Sequence, residues 1–166
     1  MNKKAEPNDP KASGTDEPSN ENGSPQTPDQ SKTLSNILGD IIWMMTRSPN
    51  HRYFFISDLE WMVMQPVSLG QFRIFQGEEH PVGVLLWAYV NEEVENRLKQ
   101  GVTRLSPNDW KSGDRLWLID AITPFGNTQQ MLDDLTQNVF PNTPYKYMQR
   151  DEAGKLEIKT SETIDA

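Results

Sequence analysis

The sequence has no cysteine, which excludes a disulfide framework, a thiolate nucleophile and every zinc site built on cysteine. Histidine is almost as scarce. His51 and His80 are the only two, so a three-histidine catalytic zinc centre is excluded too and no metal site is expected. Apolar runs are short, and none approaches the roughly 18 residues of a membrane-spanning helix. Lys3 and Lys4 are not followed by the apolar stretch of a secretory signal. Surplus positive charge is missing as well: the 166 residues carry a formal net charge of −8, a poor basis for sequence-independent nucleic-acid binding. These absences leave a cytoplasmic domain with no nucleic-acid partner and no membrane span. Its length suits one hydrophobic core rather than two.

Residues 1–33 are polar and rich in proline, and they predict a disordered tail that buries too little to offset its chain entropy. Leu34, Ile37, Leu38, Ile41, Ile42 and Met45 then share one helical face. That helix should stop before Ser48-Pro49, because a residue preceding proline is pushed out of the helical region. Ser48 reads as the N-cap of a short turn carrying His51. Ser57-Asp58-Leu59-Glu60 matches a capping box, predicting a second helix that Pro66 ends. Gln71 to Gln76 and Val82 to Val90 read as a hairpin, the second strand apolar enough to be buried on both faces. A polar helix capped by Asn91 follows, then a strand from Arg115 to Ile122, a helix from Thr128 to Phe140, and a last weak strand pair, Tyr145–Gln149 and Leu156–Lys159. The order predicts an α/β domain over residues 34–160, a mixed sheet covered by helices, with a flexible end at 161–166.

Asp120 is the oddest residue: a carboxylate inside Leu116-Trp117-Leu118-Ile119-Asp120-Ala121-Ile122 would be costly to bury without a partner. It is read either as a strand position facing water or as a carboxylate that orients a histidine. His51 is the histidine outside the hairpin turn, and a lone histidine is more often structural than catalytic. Glu92, Glu93 and Glu95 read as a solvated helix face.

Several motifs occur in order: Gly39-Asp40-Ile41-Ile42-Trp43-Met44, Ser48-Pro49-Asn50-His51-Arg52, Pro81-Val82, Trp87-Ala88, Asp109-Trp110-Lys111-Ser112-Gly113-Asp114-Arg115-Leu116-Trp117-Leu118-Ile119-Asp120 and Pro124-Phe125-Gly126. Together they resemble the RTX toxin-activating lysine acyltransferases, the hemolysin-activator family, over Leu34 to Gly126. The resemblance implies a divergent Gcn5-type N-acetyltransferase fold. It also implies transfer of a fatty acyl chain from acyl carrier protein to internal lysines of an RTX protoxin. His51 and Asp120 match the family's essential pair and Ser48 its serine, so these three are the expected catalytic residues. No cofactor is expected, because acyl-acyl carrier protein is itself the donor substrate.

The turn Pro124-Phe125-Gly126-Asn127-Thr128 has a single glycine, unlike the glycine-rich loops that cradle a coenzyme A pyrophosphate. An acidic carrier protein needs a basic docking surface, for which Arg97, Lys99, Arg104, Lys111 and Arg115 are the candidates. The chain departs from the family at Ala121, where tryptophan is usual, at Val84, where tyrosine is usual, and at Tyr53-Phe54-Phe55, which replaces Asp/Asn-Trp-Pro. Two alternatives therefore stand beside the acyltransferase: a degenerate homologue that binds protoxin or carrier protein without turnover, and a small-amine N-acetyltransferase. A homodimer is a further possible assembly.

Overall fold

The structure is a computed structural model and describes residues 32–162. The expectations for residues 1–31 and 163–166 lie outside the described residues. Helix α1 spans Leu34–Arg47, and its N-cap Thr33 accepts a side-chain hydrogen bond from Asn36 N. Its apolar stripe buries Ile41, Met44 and Met45. Ser48 ends α1, its N–H donating to Met45 O, and also opens the expected short turn, its carbonyl accepting from His51 N and Arg52 N; its backbone is extended, as the following proline requires.

The second helical segment differs from expectation. No Ser57 capping box forms; Asp58 instead accepts from Phe55 N at 2.9 Å and from Trp61 Nε1 at 3.2 Å. A π-helical turn, Glu60–Met64, leads straight into α2, Gln65–Ser68, and Pro66 sits inside the segment rather than ending it. Pro66 has no N–H to give the preceding turn, and Trp61 O in that turn accepts from Trp110 Nε1 at 3.1 Å.

The sheet has five strands in the order β1-β2-β3-β4-β5. Strands β1 (Phe72–Gln76) and β2 (Pro81–Val90) form the expected antiparallel hairpin, and β3 (Arg115–Ile122) pairs antiparallel with β2. Between β2 and β3 run α3 (Glu92–Lys99), capped by Asn91 as expected, and a 3-10 turn, Pro107–Trp110, that sequence periodicity does not reveal. Helix α4 (Thr128–Asp134) continues into a π turn, Leu135–Val139. Strands β4 (Lys146–Arg150) and β5 (Leu156–Thr160) close the sheet as an antiparallel pair. Ser161 still pairs with Tyr145, donating its N–H to Tyr145 O.

Strand β2 is buried on both faces, as its continuous apolar run predicts. Val84 and Leu86 pack with α1 residues on one face, and Leu85 and Trp87 pack with α4 residues on the other. Each such Leu or Val contributes roughly 1.5–3 kcal/mol by leaving water. The architecture is a single α/β domain with a mixed sheet flanked by helices, consistent with a Gcn5-type N-acetyltransferase fold.

Strands β3 and β4 are the one parallel neighbour pair, registered only at Trp117 and Lys146. Glu95 of α3 holds that point. Its Oε1 accepts from Trp117 Nε1 at 3.0 Å and from Lys146 Nζ at 2.6 Å, and its Oε2 accepts from Arg115 Nη1 at 2.6 Å. Lys99 lies 3.3 Å away. Glu95 is 2% exposed, not the solvated residue that its helix suggests. Burial alone would push its carboxyl up, but the bonds from Lys146, Trp117 and Lys99 prevail and lower it from 4.5 to about 2.

With the folded value below the unfolded one, this carboxylate's stabilisation is complete above pH 4.5 and disappears as pH falls towards 2. Glu95→Gln should lower unfolding free energy near pH 7 by about 2–3 kcal/mol, since it leaves buried donors short of a charged acceptor. Urea melts between pH 7 and 2.5 test this: wild type should lose stability below pH 4.5 more steeply than the variant. Parallel pH curves would show that Glu95 is not the linked group.

Candidate active site

His51 sits in a tight turn whose backbone folds back on Ser48: His51 N and Arg52 N both donate to Ser48 O, at 3.1 and 3.0 Å. The same turn brings Ser48 Oγ to 2.6 Å from His51 Nδ1. The other ring nitrogen, Nε2, lies 3.0 Å from Asp120 Oδ2 and 3.2 Å from Oδ1, across 69 positions of sequence. The structure thus joins all three expected site residues in one hydrogen-bonded series. His80 stands apart, packed between Trp43 and Phe125.

A β-bulge brings Asp120 to the correct face. Leu86 opposes Asp120 and Trp87 opposes Leu118, so Ile119 is the extra residue of β3. Before the bulge, Leu116 and Leu118 face the α4 side; after it, Ala121 does, and Ile122 packs on the α1 side. Strict alternation would have put Asp120 with Leu116 and Leu118, away from His51. Asp120 Oδ1 also accepts from Ala121 N at 2.8 Å, which fixes the carboxylate's orientation.

An ionised carboxylate can only accept, so Nε2 carries the imidazole proton and Nδ1 accepts from the Ser48 hydroxyl. Ser48 and His51 are both buried, whereas the Asp120 side chain keeps 26% of its surface in solvent. The Phe54 ring stacks on His51 at 5.9 Å between centroids, a contact that no motif or periodicity singles out. Asp120 borders a cleft of about 440 Å³ between β3 and β4, with Leu118, Ala121, Leu132 and Tyr147 among its lining residues. Among the described residues no group of three or more acidic or imidazole side chains is placed to hold a metal, and no helix is long and apolar enough to cross a membrane.

The long motif ending at Asp120 is mostly scaffold. Trp110 is buried and donates to Trp61 O at 3.1 Å. Ser112 Oγ accepts from Asn91 N and donates to Asp109 O. A Cβ on Gly113 would stand 2.6 Å from Val90 O, so only glycine fits against the end of β2. The five candidate docking cations are also largely committed inside the chain. Arg97 pairs with Asp109 at 2.8 Å, Lys99 and Arg115 pair with Glu95, and Arg104 lies over the Trp61 ring at 5.2 Å. Burial opposes charge on Asp109, but the Ser106 N–H and Arg97 hold its carboxyl below the usual range.

The RTX toxin acyltransferase (HlyC) family matches residues 30–163. The chain is 31% identical over 127 residues to an uncharacterized protein of Synechocystis sp., covering 75% of this chain and 86% of that one. It is 29% identical over 108 residues to the lysine-acyltransferase RtxC of Vibrio cholerae, covering 64% and 71%. It is also 32% identical over 114 residues to the protein-lysine myristoyltransferase HlyC of Escherichia coli, covering 69% and 59%.

The geometry predicts the Nε2–H tautomer for His51, readable from its ring nitrogen-15 shifts at a pH where the ring is neutral. Asp120→Asn should remove that preference, because its amide can also donate to the ring. Identical shifts in both proteins would show that Asp120 does not set the tautomer.

Proposed function

The chain belongs to the RTX toxin acyltransferase family and is an acyltransferase; we propose that it moves a fatty acyl group from acyl carrier protein to internal lysines of an RTX protoxin in the cytoplasm, activating that protein. The observation that carries this reading is the Ser48–His51–Asp120 series beside an open cleft. A lysine amine with pKa near 10.4 costs about 4.6 kcal/mol to deprotonate at pH 7. A carboxylate-oriented imidazole lowers that barrier by taking the proton as the amine attacks the thioester.

Both ring nitrogens are occupied here, Nε2 by Asp120 and Nδ1 by Ser48. The proton therefore reaches Nδ1 through the Ser48 hydroxyl, which gives its own proton to the ring as it receives one from the amine. Asp120 stabilises the imidazolium, which returns the proton to the leaving thiolate. The short Ser48–His51 bond also supports a covalent variant, in which Ser48 is first acylated and the lysine then attacks the ester. The donor assignment rests on the single-glycine turn before α4, where Gly126 and Asn127 take left-handed conformations. Of the five candidate docking cations, Arg104 and Lys111 form no ion pair among the described residues and become the better carrier-binding candidates.

Intact-mass measurement of an RTX protoxin co-expressed with the chain should show acyl additions. His51→Ala and Asp120→Asn should each reduce them by roughly a hundredfold or more. Full acylation by either variant would refute the proposed mechanism. Ser48→Ala should lower the rate by at least tenfold, and incubation with donor alone distinguishes the routes: an acyl mass on the wild-type chain, absent from Ser48→Ala, identifies the covalent one.

With purified components, acyl-acyl carrier protein should outperform acyl-coenzyme A, and charge reversal at Arg104 and Lys111 should slow transfer most at low salt. Equal rates from both donors would overturn the donor assignment.

A further inference from the structure

A second cavity, of about 190 Å³, opens on the other side of the catalytic series, between the end of α1 and the loop after His51. Its lining includes Ile42, Met45, His51, Phe54, Phe55 and Leu59. We propose that this cavity receives the hydrocarbon tail of the transferred acyl group, with Phe55 and Ile56 as its outer rim. The proposal rests on the acyltransferase reading above and assigns one of its two substrates to a place.

Connectivity supplies the first argument. The acyl carbonyl must come within bonding reach of the amine whose proton the Ser48–His51 pair removes, so the attached tail must leave through an opening next to that pair. Among the described residues, the β3–β4 cleft, which Asp120 lines, and this cavity, which His51 lines, both border the series. Charge separates them. The acceptor lysine arrives as an ammonium ion, and Asp120, whose side chain is 26% exposed, borders the β3–β4 cleft. No acidic side chain lines the His51 cavity, and its one formally charged member, Arg52, is itself cationic. An ammonium would find no partner there, whereas a hydrocarbon chain needs none.

The rim supplies an independent argument. Phe55 is 77% and Ile56 87% exposed, large apolar groups with nothing from the described chain to cover them. They are adjacent to Phe54, whose ring lies over His51 and approaches Trp61 at 6.4 Å. An alkyl chain entering beside His51 would bury this surface, at roughly fourfold in affinity for each methylene removed from water.

The test uses the full chain and a dansyl-labelled undecanoic acid, followed by fluorescence and displaced by fatty acids of four to sixteen carbons. Wild type should bind the probe, with displacement strengthening by up to about fourfold per methylene until the cavity is filled. Thr46→Phe, at an exposed position on the cavity edge, and the double change Phe55→Ser with Ile56→Ser should each weaken binding by at least tenfold. All three sites face solvent or the cavity, so circular dichroism should match wild type.

Unchanged affinity in both variants, or displacement independent of chain length, would overturn the proposal. So would a rim that governs self-association in sedimentation while leaving the probe bound. Binding needs no protoxin and no turnover, so a chain that binds tails yet acylates nothing refutes the functional reading alone. In a transferring enzyme, Thr46→Phe should lower the ratio of sixteen-carbon to four-carbon transfer by at least tenfold; an unchanged ratio refutes the cavity assignment alone.

Discussion

A single buried carboxylate governs how this sheet is put together. Glu95 reaches from α3 to the one point where β3 and β4 are registered, and binds side chains from both strands. Parallel strands joined at one pair have little backbone bonding to hold them, so the junction relies on charge-assisted bonds from Arg115 and Lys146. Beyond it the strands diverge and leave the space into which Asp120 opens. The same contact that closes the sheet at one end therefore allows it to stay open at the other. An apolar residue at position 95 could fill the volume but would leave the Trp117 indole N–H without its acceptor, and buried donors are costly to abandon.

Much of this arrangement was legible in the residues. Periodicity located α1, the apolar run of β2 and the boundaries of β3, because each buries a face whose spacing is written along the chain. The motifs pointed to Ser48, His51 and Asp120, and these three do meet. The bulge at Ile119 was not legible, since the apolar run Leu116 to Ile119 has no alternation to interrupt. Nor were the π turns at Glu60–Met64 and Leu135–Val139, which keep the helical spacing of apolar residues while changing the bonding pattern. Glu95 looked solvated because Glu92 and Glu93 beside it are; only the fold shows the cations that gather around it.

The cationic stretch from Arg97 to Arg115 illustrates a related limit. Charges close in sequence suggest a patch, yet most of these fold inward onto Glu95 and Asp109. Their work is cohesion, and the outward field they could offer an acidic partner is correspondingly reduced. The Ser48–His51–Asp120 series is instead bordered by two openings of different character, one beside a carboxylate and one walled by aromatic and aliphatic groups. In the proposed reaction, that asymmetry would let two substrates approach a single imidazole from two sides.

The division of labour within the motif from Asp109 to Asp120 bears on ancestry. Trp110, Ser112, Gly113, Arg115 and Trp117 all hold the backbone together, and only the terminal aspartate touches His51. A descendant that lost its histidine and aspartate would still need the rest of the motif in order to fold. Inheritance of that stretch therefore records descent of a scaffold, and catalytic competence has to be judged separately, from the short turn at Ser48 and the single carboxylate beyond the bulge.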